Sequence, residues 1–184
     1  MARAARERSR SGIYHIMLRG INRQIIFEDD EDKDMFLTTL ESFKGNKNYN
    51  LYGYCLMTNH IHILMKELDD EISTAIKRIC ASYVFWYNRK YERCGHLFQE
   101  RFKSEVVETD EYFLTVLRYI HQNPIKARMI KNIDAYKWTS YSEYINTNKS
   151  NMVDIDFGMD LFSPKRKKAI DLFIKYHKED NNDK

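Results

Sequence analysis

The chain has 184 residues, 43% of them hydrophobic, and carries a formal net charge of +3 at pH 7. This length suits one domain with an appendage, and the small net charge excludes a protein that is polycationic as a whole. Three scattered cysteines without a Cys-x-x-Cys pair argue against a disulfide framework or a zinc knuckle, and the sequence has neither a membrane-spanning run nor a signal segment, so we expect a cytoplasmic protein with no membrane partner.

The first eleven residues are rich in arginine. Arg3, Arg6, Arg8 and Arg10 stand among small and polar residues. We predict a basic arm over residues 1–11, and such an arm can follow the phosphates of a nucleic acid. A solvated chain end without a partner explains the same residues equally well.

Residues 12–19 have the alternation typical of a strand. Successive side chains of a strand point to opposite faces, so one face carries Ile13, His15, Met17 and Arg19. Gly20 ends the strand, and Arg19 and Arg23 on either side of it have the donors to grip a phosphate or to stack on a base. A surface turn with two solvated arginines is the alternative.

Two segments have the periodicity of helices. Residues 28–46 begin with acidic side chains, which suits the positive end of a helix dipole, and residues 69–91 carry apolar side chains along one side. Both apolar stripes are expected to pack in the core.

Between these helices we predict two strands, residues 51–57 and 60–66, joined by the short link Thr58-Asn59. Such a link indicates an antiparallel hairpin. His60 and His62 alternate with isoleucines and therefore share one face of the second strand. Two imidazoles at neighbouring positions of one face can bind the same metal ion, although an isolated His-x-His is more often an exposed and a packed histidine.

A loop with polar and basic side chains precedes the last predicted strand, residues 102–107. Gln99, Arg101 and Lys103 are suitable donors for phosphates and base edges. A plain connection from loop to strand accounts for the same residues.

The predicted order is strand, helix, strand, strand, helix, strand, which is the split βαβ or ferredoxin-like arrangement. The expected fold class is therefore α+β, with an antiparallel sheet of four to five strands and helices packed against it. Because this fold hosts many activities, it does not by itself indicate a function.

A further helix is predicted from residue 110 to residue 123, ended by Pro124. Tyr112, Tyr119 and Asn123 line up beside its apolar stripe at helical spacing. Taken alone, such a tyrosine is a packing anchor with its hydroxyl in water, and an asparagine before a proline is a helix cap. Residues 146–184 are predicted to form a linker, a C-terminal helix and a polar tail.

Five blocks, in this order along the chain, carry a family resemblance. They are Gly12 to His15 with Arg19-Gly20 and Asn22-Arg23; Met57 to His62; Gly95 to Ser104; Tyr119 to Pro124 with Ala127; and Trp138 to Tyr141. Together they resemble the HUH single-tyrosine transposases (His, hydrophobic residue, His), most of all the REP-associated tyrosine transposases and the small single-strand insertion-sequence transposases. The resemblance implies a catalytic domain over residues 12–145.

The resemblance also implies a chemistry. The protein would cleave and rejoin single-stranded DNA beside hairpin repeats, with Tyr119 as the nucleophile that forms a 5′-phosphotyrosine link. His60 and His62 would hold a divalent ion, Mg²⁺ or Mn²⁺, with Asn123 as a third ligand. Two imidazoles with an amide oxygen suit Mn²⁺ better than Mg²⁺, which prefers oxygen ligands.

Further candidates rank below this set. His15 and His121 are possible additional groups on the metal side. The resemblance assigns DNA contacts to Arg3, Arg6, Arg19, Asn22 and Arg23 for a short guide sequence, and to Gln99, Arg101 and Lys103 near the cleaved strand.

A monomer is expected, with a homodimer as the alternative. Three rival functions fit parts of the sequence: a DNA-binding protein that keeps the fold with little catalysis, a metal phosphodiesterase that uses water, and an RNA-binding ferredoxin-like module.

Overall fold

The computed structural model describes residues 7–44, 48–99, 101–146 and 152–179. Their strands are β1 (Ile13–Arg19), β2 (Tyr49–Met57), β3 (His60–Glu67) and β4 (Lys103–Val106). Their helices are α1 (Asp30–Lys44), α2 (Ile72–Lys90), α3 (Asp110–Lys126), α4 (Tyr141–Ile145), α5 (Ile155–Asp160) and α6 (Arg166–Lys178). None of these helices combines the length and the apolar character that crossing a membrane requires.

The four strands form one antiparallel sheet in the order β2-β3-β1-β4. α1 connects β1 to β2, and α2 connects β3 to β4. This order confirms the predicted α+β, ferredoxin-like class, with four strands in the described part of the chain. The hairpin of β2 and β3 turns at Thr58-Asn59, with Met57 opposite His60, as predicted.

One face of the sheet is covered by α1 and α2. The two helices meet through an aromatic cluster of Phe27, Phe36 and Tyr83, whose ring centroids lie 5.2–5.8 Å apart. The Tyr83 hydroxyl donates to the carbonyl oxygen of Ile26 at 2.6 Å. The apolar stripes predicted for these helices are therefore core, and strand alternation sends His15, Met17 and Arg19 to the other face.

α3 packs against that other face, close to β2. Gly53 makes this approach possible: a Cβ on residue 53 would lie 2.7 Å from Cδ1 of Leu117. The helix begins at Thr109, whose Oγ1 accepts from the backbone N–H of Tyr112. Gly53 and Thr109 thus set the position and the start of α3.

α3 continues to Lys126, past the end predicted at Pro124. Proline removes one backbone donor, but the bonding resumes immediately, because the N–H of Ala127 donates to the carbonyl oxygen of Asn123 at 2.9 Å. Since Pro124 stands in the last turn, the loss of a single bond does not end the helix.

α6 covers the outer side of α3. The buried His121 of α3 lies between two partners, His177 of α6 at 2.9 Å and Ser140 at 2.8 Å. Arg118 stacks on the ring of Tyr176 at 4.0 Å, which ties the same two helices together. The C-terminal helix is therefore part of the support of α3.

Candidate active site

A cavity of about 210 Å³ lies where α3 crosses the ends of β1 and β3. Its lining is Met17, Leu18, Arg19, His60, His62, Gln99, Arg101, Lys103, Tyr119 and Asn123. Eight of these residues are candidates from the sequence, although they come from four separate segments of the chain. The fold therefore brings together residues that the sequence could only group by resemblance.

The remaining sequence candidates lie elsewhere. Asn22 and Arg23 are exposed in the 3-10 turn after β1 and do not line the cavity. Arg3 and Arg6 fall outside the described residues. Both ring nitrogens of the buried His121 are engaged by His177 and Ser140, so its suggested place beside a metal is wrong.

The two strand histidines face the cavity because of the register of the sheet. β1 and β3 pair so that Arg19 stands opposite His60 and Met17 opposite His62. Directly opposite residues share a face, which places both imidazoles beneath α3. The ring centroids of His60 and His62 are 5.2 Å apart.

Each of these imidazoles has a hydrogen-bond partner on Nδ1. The His60 Nδ1 lies 2.7 Å from the amide oxygen Oδ1 of Asn59, and the His62 Nδ1 lies 3.0 Å from Nε2 of His15. An amide oxygen only accepts, so His60 carries its proton on Nδ1 and keeps a lone pair on Nε2. Such partners orient histidines toward a metal.

The electrostatics keep these histidines neutral. The pKa of His62 is lowered to about 3, chiefly by burial and then by the neighbouring His15, His60 and Arg19. The pKa of His60 is lowered by burial and by Arg19, and that of His15 by burial against the opposing effect of Glu105. Neutral imidazole is the form that binds a metal ion.

Tyr119 projects from α3 over the histidines. Its ring meets His62 and His15 edge-on, with centroid distances of 5.5 Å and 5.8 Å. The Nζ of Lys126 lies 4.9 Å from the centroid of the same ring. These contacts hold the ring on two sides. Because the residue is also 36% exposed, the cavity stays accessible to a large substrate.

Asn123 follows one turn later and is 8% exposed. Its Nδ2 donates to the carbonyl oxygen of Tyr119 at 2.9 Å. This bond uses the donor end of the amide, so its acceptor, Oδ1, can serve another partner. Asn123 could therefore offer an oxygen to a cation in the cavity, beside the two imidazoles.

The donor set fits a divalent cation that keeps open positions for a substrate. In the part of the chain that the structure describes, no three His, Cys, Asp or Glu side chains are grouped for a metal. A cation here would thus rely on His60 Nε2, His62 Nε2 and Asn123 Oδ1. Two nitrogens and one oxygen suit Mn²⁺ better than Mg²⁺.

The rim of the cavity is basic. Arg19, Arg101 and Lys103 are exposed side chains, and Gln99 beside them is exposed too. Lys103 stands opposite Met17 in the sheet, so its side chain lies on the face of the histidines. Three cations around a small polar cavity favour a phosphate diester as the occupant.

Sequence reasoning missed Glu105 and gave Lys126 no place at the site. Glu105 stands opposite His15 across β1 and β4, and its Oε2 lies 3.4 Å from the His15 Nδ1. Strand alternation places Glu105 on the face of Lys103, but the pairing register that joins it to His15 has no local signal. Lys126 lies in the last turn of α3, beyond the end predicted for this helix at Pro124.

Comparisons with known proteins identify the family of the chain. The profile of the family described as "Transposase IS200 like" matches residues 9–123, more than half of the chain. A curated protein of Haemophilus influenzae (strain ATCC 51907 / DSM 11121 / KW20 / Rd), described as a REP-associated tyrosine transposase, is 24% identical over 104 residues, covering 50% of this chain and 59% of the relative. The match therefore spans less than two thirds of that relative's length.

A solved structure shares the fold. It is that of a REP-associated tyrosine transposase bound to a REP hairpin, which superposes with a TM-score of 0.69 at 15% identity, covering 83% of this chain and 90% of that one. Together with the family profile, this likeness confirms the resemblance inferred from the five sequence blocks.

Proposed function

The chain belongs to the family of IS200-like transposases, and from this premise we propose that it cleaves and rejoins single-stranded DNA through a covalent tyrosine link. The observation that carries the proposal is the position of Tyr119, whose ring lies 5.5 Å from that of His62 at the edge of a basic cavity. A DNA-binding module needs neither a tyrosine nor a pair of neutral histidines at this place.

In the proposed reaction, the Tyr119 Oη attacks the phosphorus of a DNA phosphodiester. A bond forms between Oη and phosphorus, and the bond from phosphorus to the 3′ oxygen breaks. The products are a 5′-phosphotyrosine and a free 3′-OH, which takes up the proton that the phenol loses. Another 3′-OH can reverse the step, because the covalent link preserves the energy of the broken bond.

His60, His62 and Asn123 are proposed to hold the divalent ion, Mn²⁺ or Mg²⁺. When bound there, the ion would draw negative charge from the phosphate oxygens and so ease attack by an oxygen nucleophile. Arg19, Arg101 and Lys103 are proposed to neutralise the backbone on both sides of the scissile phosphate.

A hairpin beside the cleaved strand is the proposed substrate. This rests on the REP hairpin bound in the solved structure that shares the fold. The exposed Asn22 and Arg23, together with Arg3 and Arg6 of the N-terminal arm, are proposed to contact the single strand next to the hairpin.

We further propose that Tyr119 acts within its own chain. It lies over the histidines of the same chain, and α6 ties its helix to the rest of the fold through His177 and Arg118. A monomer is then sufficient for activity, and a homodimer is the alternative.

The test is a search for a covalent adduct. End-labelled single-stranded hairpin DNA, taken from repeats near the encoding gene, is incubated with the protein and Mn²⁺ or Mg²⁺ and run on a denaturing gel. Wild type should give an adduct, whereas Tyr119→Phe and His62→Ala should give none and still bind the hairpin. Tyr176→Phe is the matched control, because it removes a hydroxyl from α6 and keeps the ring on Arg118.

Two outcomes would overturn the proposal in different ways. Cleavage that survives in Tyr119→Phe would favour a phosphodiesterase that uses water. Tight hairpin binding without cleavage, over several candidate repeats and both ions, would favour a protein that binds DNA and does little chemistry.

A further inference from the structure

Three side chains form a line across the sheet and end at the cavity. Glu105 of β4 lies beside His15 of β1, with Oε2 3.4 Å from Nδ1, and His15 lies beside His62 of β3, with Nε2 3.0 Å from Nδ1. His15 and His62 are 3% and 4% exposed, and their rings stack with centroids 5.2 Å apart. Each strand contributes one member, so the register of the sheet fixes the line.

The polarity of the line follows from its outer end. An ionised carboxylate only accepts hydrogen bonds, so the Nδ1 of His15 must carry the proton that points to Glu105. A neutral imidazole has one N–H, which leaves Nε2 of His15 as an acceptor. The proton between the two rings therefore belongs to Nδ1 of His62, and the Nε2 of His62 keeps its lone pair.

We propose that Glu105 and His15 are positioning residues, which act through His62 by fixing the imidazole tautomer that it offers to the proposed divalent ion. The inference rests on the proposed function, since it assigns the purpose of the line to the metal site. It adds two residues to that site, neither of which touches the substrate in the proposed reaction.

His60, the other proposed histidine ligand, also has its Nδ1 hydrogen-bonded, but to a different kind of partner. The Nδ1 of His60 is held by the amide oxygen of Asn59 at 2.7 Å. Both strand histidines thus have Nδ1 occupied by an acceptor and Nε2 left as the lone-pair nitrogen. Two different partners, Asn59 and His15, leave the lone pair on the same nitrogen of both histidines. Presentation of Nε2 to a ligand explains this shared outcome better than packing alone does.

His15 also contacts the proposed nucleophile, since its ring meets Tyr119 edge-on at 5.8 Å. The pKa of Tyr112, two turns earlier on α3, is raised by burial and then by the nearby carboxylate of Glu105, so the two side chains are neighbours. The outer end of the line therefore lies beside the helix that carries Tyr119. A displaced His15 would disturb the ligand and the nucleophile together.

The first measurement is the tautomer of His62 in the metal-free protein, by long-range ¹H–¹⁵N correlation of the imidazole nitrogens. Wild type should show His62 protonated on Nδ1. His15→Phe keeps the stacked ring and removes the acceptor, so a population with the proton on Nε2 should appear. Glu105→Ala should give a mixture of tautomers at His15 and His62. The Glu105 side chain is 53% exposed, so its loss should not destabilise the fold.

The second measurement is the affinity for Mn²⁺ by titration calorimetry. His15→Phe should weaken binding about 10- to 100-fold, the usual effect of losing such a partner, and Glu105→Ala should weaken it less. His96→Phe is the control, because His96 is exposed and does not line the cavity. A merely structural role for His15 would lower stability without changing the tautomer of His62.

The outcomes separate the inference from the proposed function. If wild-type His62 is protonated on Nε2, or if both variants keep the wild-type tautomer and Mn²⁺ affinity, the inference is wrong while covalent cleavage can still stand. If wild type binds no Mn²⁺ and forms no adduct, the proposed function fails, and with it the purpose assigned to the line.

Discussion

Replacing Gly53 by alanine tests whether the close approach of α3 to β2 sets the position of the proposed nucleophile. The new Cβ would lie 2.7 Å from Leu117 Cδ1, about 0.7 Å short of the 3.4 Å at which ordinary contact begins. Leu117 is fully buried, so the strain passes to α3 and its tyrosine. Gly53→Ala should therefore affect stability and cleavage together.

The expected loss of stability is moderate. Overpacking of a core lowers the free energy of unfolding by about 1–3 kcal/mol. Replacing glycine by alanine raises it by about 0.4–1 kcal/mol, because alanine restricts the unfolded chain. The net cost is about 1.5 kcal/mol, which lowers Tm by about 3–6 °C for a chain of this size. A displacement of reacting groups by 1 Å can cost about 100-fold in rate, so cleavage should fall on the order of tenfold.

The assay combines thermal unfolding with the rate of adduct formation. Ile79→Val is the matched control, because it costs about 0.5–1.5 kcal/mol at a buried site on α2, across the sheet from α3. It should lower Tm and leave cleavage unchanged. Leu117→Val shortens the side chain that clashes, so combining it with Gly53→Ala should recover about 1 kcal/mol relative to the sum of the single variants.

A Gly53→Ala variant with the Tm and the cleavage rate of wild type would show that the close approach of α3 to β2 does not position Tyr119. Additive effects of the two substitutions would show that the cost has a source other than contact with Leu117.

Three further predictions concern pH, salt and assembly. The pKa of His177 is lowered to about 3, chiefly by burial, so below pH 6.5 the unfolded chain binds a proton that the folded chain does not. The free energy of unfolding should therefore decrease as the pH falls, by up to about 1.4 kcal/mol per pH unit. Urea unfolding at pH 7, 6 and 5 measures this dependence, and the free energy of unfolding of His177→Gln should change less with pH than that of wild type. Arg101→Ala should reduce the salt dependence of single-strand binding by about 0.7 in the log–log slope, whereas Arg78→Ala, at a residue paired with Asp70, should not change it. A mixture of Tyr119→Phe with His62→Ala should form no adduct if the tyrosine acts in its own chain, and recovery of the adduct would show an exchanged helix.

The sequence predicted the class of the fold because its signals are local. Alternation in residues 12–19, the two-residue link at Thr58-Asn59 and the helical stripes each depend on neighbours in the chain. The shared face of His60 and His62 followed from the same alternation. These predictions needed no knowledge of which strands pair.

The parts that could not be predicted depend on distant pairing. The line from Glu105 to His62 requires the register of β1 with both β3 and β4, and no local pattern specifies it. The engagement of His121 required the docking of α6 on α3, because a buried histidine and a metal ligand look alike in a sequence. The predicted end of α3 at Pro124 was wrong for a local reason. One missing backbone donor matters less in the last turn of a helix than in its interior.

α3 receives its outer support from α6, which the ribosome synthesises later. A ribosome makes His121 56 residues before its partner His177, which corresponds to roughly 3–11 s at the usual rate of about 5–20 residues per second. During that interval the tyrosine helix has been synthesised but lacks its outer support. We therefore expect Tyr119, the proposed nucleophile, to reach its final place only after α6 has been made, so that a chain still being synthesised would not yet hold the proposed site in its final form.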